Sequence, residues 1–297
     1  MQYFKTTLAF TISFLFMISC GSKKKQEEET TDTFSIDDYI KAAEAIEPDL
    51  DKVDQIFNIL DMVHAGYYDV LTNNPYSVHN YKTSYPVAAA NLGIYVADIV
   101  YHLYGESDKS ISLTFQAAQE LAKHIGVESE FASWTLENLE GTMMKRDTIT
   151  HLFNKLLSDS KNYSSEKEMV FVHTAFLTGS FIEKVFISSN LLKEKMNDEE
   201  ISKEEEGDIR KLLVIYLNQL DPSATILYEA FEQQQDQLEG LAILSSFEGL
   251  KELAAHLKEM KSSLSVAPIS DLASNEDLHK TFGLISDLRT GLISASK

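Results

Sequence analysis

Asn91, Tyr95, Asp98 and His102 recur at steps of four, three and four, which lays them along one stripe of a helix. Between Val87 and Tyr104 the only other side chains are apolar or tyrosine, so this helix is expected at the centre of a bundle. An amide, a phenol, a carboxylate and an imidazole in one row could line an internal pocket, with Asp98 orienting His102 or meeting a ligand. The plainer expectation, which we favour, is that the stripe faces solvent or hydrogen-bonds a neighbouring helix, because buried polar groups usually have structural partners. Glu183 poses the same choice. It is flanked in helical space by Phe176, Gly179 and Phe186, and a carboxylate buried there requires a charge or donor. Of the three arginines in the chain, Arg146 and Arg289 are the candidates to supply it.

Metal chemistry has a weaker basis. Acids precede histidines by three or four positions at Asp61/His64, Asp98/His102, Glu120/His124, Asp147/His151 and Glu252/His256, but such pairs support helices without any metal. The Glu-x-x-His signature of di-iron bundles, paired on two helices, is absent. There is no G-x-S-x-G elbow, no H-E-x-x-H and no glycine-rich phosphate loop. No metal, no cofactor and no catalytic residue is therefore expected.

The elements that position these residues follow from composition and periodicity. The chain has 297 residues, 44% hydrophobic, with 26 basic against 46 acidic side chains and a net charge of −20. That balance argues against a nucleic-acid partner, which demands neutralised phosphates. Apolar residues recur at three and four spacing almost throughout, and five prolines and twelve glycines leave little punctuation for an all-β fold. The expected fold is all-α, a multi-helix bundle of about nine to eleven helices over residues 34–297, read as a single domain.

Helices are expected over 35–46, 48–71, 86–104, 108–124 closed by Gly126, 128–139 closed by Gly141, 146–157 and 165–192. A loop fills 72–84, and the acidic stretch 193–208 reads as a solvated connection. Beyond it come a helix to Leu220, a break with Asp221 as cap, and helices over 224–237, 241–264 and 275–294, the last capped by Ser274. Gly93 and Gly179 sit inside the two most apolar helices, where glycine costs up to about 1 kcal/mol against alanine, so close backbone packing between those helices is expected.

The N-terminus reads as an address. Lys5 and the apolar run from Leu8 to Ile18 have the form of a signal peptide, and the run is too short to span a bilayer comfortably. It ends in Met17-Ile18-Ser19-Cys20-Gly21, a lipobox-like pattern that makes Cys20, the only cysteine, the expected lipid-attachment site. Residues 1–19 are then a lipoprotein signal peptide and 20–33 the lipidated cysteine with a disordered tether, GSKKKQEEETTDT, that has no apolar side chain to bury. Loss of residues 1–19 leaves a net charge near −21. Anionic lipid would repel such a domain, so attachment to the membrane falls to the lipid chains, at about 0.8 kcal/mol per buried methylene.

Three segments carry a resemblance. They are Asn91-Leu92-Gly93-Ile94-Tyr95-Val96-Ala97-Asp98-Ile99-Val100-Tyr101, Asn138 with Arg146-Asp147, and Gly179-Ser180-Phe181-Ile182-Glu183-Lys184-Val185-Phe186-Ile187. Together they resemble a family of uncharacterised helical lipoproteins from Bacteroidetes. The resemblance implies a helical fold and an envelope location, and brings no activity with it. The leading expectation is a lipid-anchored, non-catalytic helical module of the outer membrane, on its periplasmic or its surface face, that binds or scaffolds another envelope protein. The alternative is a small-molecule or metal-binding protein, an enzyme included, with its site between the two apolar helices around Asp98, His102 and Glu183.

Overall fold

Local capping chemistry sets the ends of the helices. In the computed structural model the described residues are Leu60, 63–127, 166–233, 243–264 and 275–294, all within one compact unit, Phe34–Lys297. They form two short 3₁₀ helices, Asp69–Leu71 and Pro75–Tyr81, and seven α-helices: α1 (Tyr85–Tyr104), α2 (Asp108–His124), α3 (Glu166–Met196), α4 (Lys203–Gln219), α5 (Asp221–Glu232), α6 (Leu244–Leu264) and α7 (Asn275–Ser294). No strand occurs among them. The signal peptide, Cys20, the tether, Arg146, Ser274 and the helices expected over 35–46, 128–139 and 146–157 lie outside the described residues.

Ser84 starts α1 by accepting from the Val87 N–H, and α2 ends where Gly126, at φ 84°, lets the Val127 N–H reach back to Ala122 O at 2.8 Å. Both helices coincide with the spans expected from sequence to within a residue.

Four expectations are corrected. The helix expected to reach Leu71 ends earlier: His64 takes the left-handed conformation at φ 50°, and the Ala65 N–H returns to Leu60 O at 2.9 Å, a Schellman-type stop made without glycine. The loop expected over 72–84 contains the 3₁₀ helix Pro75–Tyr81, capped by Asn74, whose side chain accepts from the Tyr76 N–H. The acidic stretch 193–208 is mostly helix. α3 continues to Met196, and Ser202 with Glu205 forms a reciprocal capping box that opens α4, with Glu204, Glu205 and Glu206 set against the positive end of the helix dipole. Asp221, expected as a cap, lies inside the first turn of α5 and binds Lys261 at 3.1 Å instead.

The core is organised on α1 and α3. Each is apolar on nearly all sides, and each is long and apolar enough by composition to cross a membrane, yet 83% and 89% of those windows are buried within this fold. They meet main chain to main chain. A Cβ added at Gly93 would stand 2.1 Å from Phe176 O, and one at Gly179 would stand 1.9 Å from Ala90 O. The expected contact between the two helices is thus present, and the glycines are its reason: absence of two Cβ atoms lets the axes approach until backbones touch. Around this seam α2 packs on α1, α7 on α3, and α5 and α6 on each other. Phe231 and Phe247 stack at 3.5 Å between centroids, with Phe171 edge-on to both, joining α3, α5 and α6.

Candidate functional site

The polar stripe of α1 is wholly buried: Asn91, Tyr95 and Asp98 are 0% exposed and His102 1%. It holds residues 65–81, a segment of turns and the two short 3₁₀ helices, that runs antiparallel along the helix as a strap. Tyr104 donates to Ala65 O at 3.1 Å, and the Tyr68 N–H donates to Tyr101 at 2.7 Å. Tyr67 meets His102, the Asn73 N–H donates to Asp98 at 3.0 Å, and Tyr95 donates to Asn74 O at 2.9 Å. The reason is bookkeeping of backbone groups. An α-helix pairs most of its own N–H and C=O groups, but the short turns of the strap leave several groups to find partners elsewhere. Side chains from α1 provide them. Asn91 serves a different neighbour, donating to Val87 O and to Leu292 O of α7 at 3.0 and 3.2 Å.

Glu183 and Arg289 form a two-point ion pair across α3 and α7, with Nε to Oε2 at 2.6 Å and Nη2 to Oε1 at 2.7 Å. The guanidinium also donates to Leu71 O of the strap at 3.1 Å and lies 4.3 Å from the Phe186 ring centroid. Asp98 stands within hydrogen-bonding reach of Glu183. Burial first, and then the charge of Glu183, raise its pKa well above the ordinary carboxylate value. Only Oδ2 of Asp98 receives a donor, from Asn73. The raised pKa favours the neutral acid of Asp98 beside the Glu183–Arg289 ion pair.

His102 is oriented away from this network. Tyr67 gives its own proton to Asp69 Oδ1 at 2.9 Å, so the phenol oxygen accepts from His102 Nδ1–H at 2.8 Å, and Nε2 accepts from Thr114 at 3.1 Å. Desolvation holds the imidazole pKa down at about 4, so it is neutral at neutral pH. Ser110 donates to the same Asp69 oxygen at 2.8 Å. The Ser110 hydroxyl foremost, with a lesser contribution from Tyr67, keeps Asp69 below its usual pKa against the opposing effect of burial. Gly105 makes the arrangement possible: a Cβ there would stand 2.1 Å from the Tyr67 ring.

Thr114, His102 and Asp69 open onto a cavity of about 500 Å³. Its remaining walls are residues 72–76 of the strap together with Ser107, Lys109, Ser110 and Leu113. Asp98, His102 and Glu183 therefore do not converge. His102 faces the cavity, while Asp98 and Glu183 lie behind Asn73 in a sealed ion-pair cluster. Nor does the cavity lie between the two apolar helices, where main chain meets main chain. The residues that sequence reasoning did not reach are Tyr67, Asp69, Asn73 and Thr114. Apart from the short Tyr67–Asp69 bond, their partners on the neighbouring helices are 12 to 41 positions away, and no periodicity marks the strap. Among the described residues no cluster of three or more metal-ligating side chains occurs.

No protein-family model, curated protein or solved structure matches the chain.

Proposed function

We propose that the chain is an outer-membrane lipoprotein, anchored through lipid on Cys20, whose helical domain is a non-catalytic binding module that engages another envelope component at the strap and its cavity. Membership of the helical Bacteroidetes lipoproteins, a total of nine to eleven helices and the signal peptide over 1–19 are parts of the same reading. The observation that carries the binding role is the placement of exposed apolar side chains. Of the four large hydrophobic side chains exposed among the described residues, three, Tyr68 at 45%, Val70 at 86% and Tyr76 at 70%, belong to the strap segment that also walls the cavity. Three apolar side chains exposed within nine residues, one of them lining the cavity, support a recognition surface there. The lipobox-like run ending in Cys20 supports the location.

Two measurements test it. Radiolabelled palmitate is expected on the wild-type polypeptide and absent from Cys20→Ala. Chemical cross-linking in intact envelopes is expected to capture a stoichiometric partner with wild type and to lose it with Tyr76→Ala combined with Val70→Asp. Capture that is indifferent to that double substitution removes the strap from the binding surface.

A further inference from the structure

We infer that the cavity beneath the strap takes a neutral, polyhydroxylated ligand, a saccharide; this deepens the binding-module reading and rests on it. Charge decides first. Asp69 is held as a carboxylate and Lys109 faces the same space, while His102 is neutral, so the walls carry balanced charge and discriminate against a strongly charged occupant of either sign. The N-terminal end of α2, where an anion would ordinarily sit, already has a carboxylate: Asp69 accepts there from Ser110, in the first turn.

Hydrogen-bonding capacity decides next. The lining is rich in hydroxyls: Thr72 and Ser110 already donate to Asp69 O and Oδ1 and offer their lone pairs, Ser107 adds a further hydroxyl, and Tyr76 can donate and accept, as sugar hydroxyls do. Asp69 adds a pure acceptor. Tyr67 and Ser110 both reach its Oδ1, which leaves Oδ2 available on a side chain 67% exposed. Asn74 contributes an amide to the wall. Leu113 and Pro75 are the only aliphatic linings, too little for an apolar peptide side chain or an acyl chain. Volume and aromatic placement agree. About 500 Å³ falls within the range of about 300–1,000 Å³ common to small-ligand pockets, and Tyr76, 70% exposed, supplies an aromatic ring to the lining, the kind of group on which the C–H face of a pyranose can stack.

The test uses the full-length chain in detergent micelles, saturation-transfer NMR and calorimetry. The probes are maltohexaose, laminarihexaose, xylohexaose, mannohexaose and chitohexaose, with trigalacturonate as the anionic comparison. Transfer to at least one neutral hexasaccharide is expected, with Kd weakened at least tenfold by Tyr76→Ala and by Asp69→Asn. The melting midpoint of Tyr76→Ala should be unchanged, since that ring is mostly in water. The inference is overturned by absence of transfer to every neutral probe, by tighter binding of trigalacturonate than of any neutral sugar, or by sugar binding that neither substitution weakens. Should the sugars fail while envelope cross-linking still depends on Tyr76 and Val70, the saccharide is wrong and the binding module stands. Should both fail, the binding module falls as well.

Discussion

The backbone N–H of Asn73 donates a 3.0 Å hydrogen bond to Asp98 Oδ2, so one residue forms part of the cavity wall and also closes the buried charge cluster behind it. Asp98 reaches Glu183, Glu183 is clamped by Arg289, and Arg289 returns to the strap at Leu71 O. The strap is therefore fixed at both Leu71 and Asn73 by the same group of charges.

Removal of the cation from that group exposes its cost. Arg289→Ala leaves two facing carboxyl groups buried without a counter-charge, and breaking a buried pair in this way typically costs about 3–5 kcal/mol. Urea unfolding is expected to show a loss of that order. Adding Glu183→Gln to Arg289→Ala is expected to recover part of it, because the acid left alone is then replaced by a neutral amide.

Asp98→Asn is expected to behave as a fixed copy of the protonated acid. The amide oxygen can accept from Asn73 and the amide nitrogen can donate to Glu183. In wild type the folded chain holds a proton on Asp98 above the pH at which the unfolded chain releases it, so Asp98 lowers stability as pH rises from about 4 toward its folded pKa. In Asp98→Asn that component disappears. Thermal melts from pH 5 to 9 should show the variant gaining on wild type as pH rises.

The buried histidines act in the opposite direction. His102 titrates at about 4 and His173 at about 3 when folded, both lowered by desolvation, against 6.5 unfolded. Below pH 6.5 the unfolded chain binds protons that the folded chain refuses, so stability is lost as pH falls toward those values. For His102 the full loss is on the order of 3 kcal/mol. His102→Asn is expected to flatten the melting midpoint between pH 6.5 and 4 relative to wild type.

Gly179→Ala tests the helix seam. Alanine improves helix propensity by about 1 kcal/mol, yet its Cβ would meet Ala90 O at 1.9 Å. A net loss of at least about 3 kcal/mol is expected, since overpacking of a core that cannot shift exceeds the usual penalty. Gly283→Ala, with nothing within 4 Å of its Cβ, is the matched control and is expected to be neutral or slightly stabilising by differential scanning calorimetry.

Much of the helical framework is legible in the sequence, and the contrast between two segments explains why the rest is not. α2 declares itself through a periodic apolar face, Asp108 at its start and Gly126 past its end, all within one stretch. The strap has none of these. Its conformation depends on Tyr95, Asp98, Tyr101, His102 and Tyr104, which sit in the next helix and whose roles appear only when α1 lies alongside. The pairing of Glu183 with Arg289 could be narrowed because arginine is scarce, whereas Asp69 and Thr114 are among many acids and hydroxyls with nothing local to single them out. The acidic stretch misled for a related reason: charge density suggests solvent, but three glutamates after a serine also suit the first turn of a helix.

The seam at Gly93 and Gly179 also limits how this chain can vary over evolutionary time. In an ordinary core a bulkier residue on one side can be accommodated by trimming its neighbour, but here the obstacle to each missing Cβ is a peptide carbonyl, which every amino acid carries. No second-site change opposite either glycine can make room. The two positions are locked independently of one another, and any descendant that alters either must move a whole helix to survive.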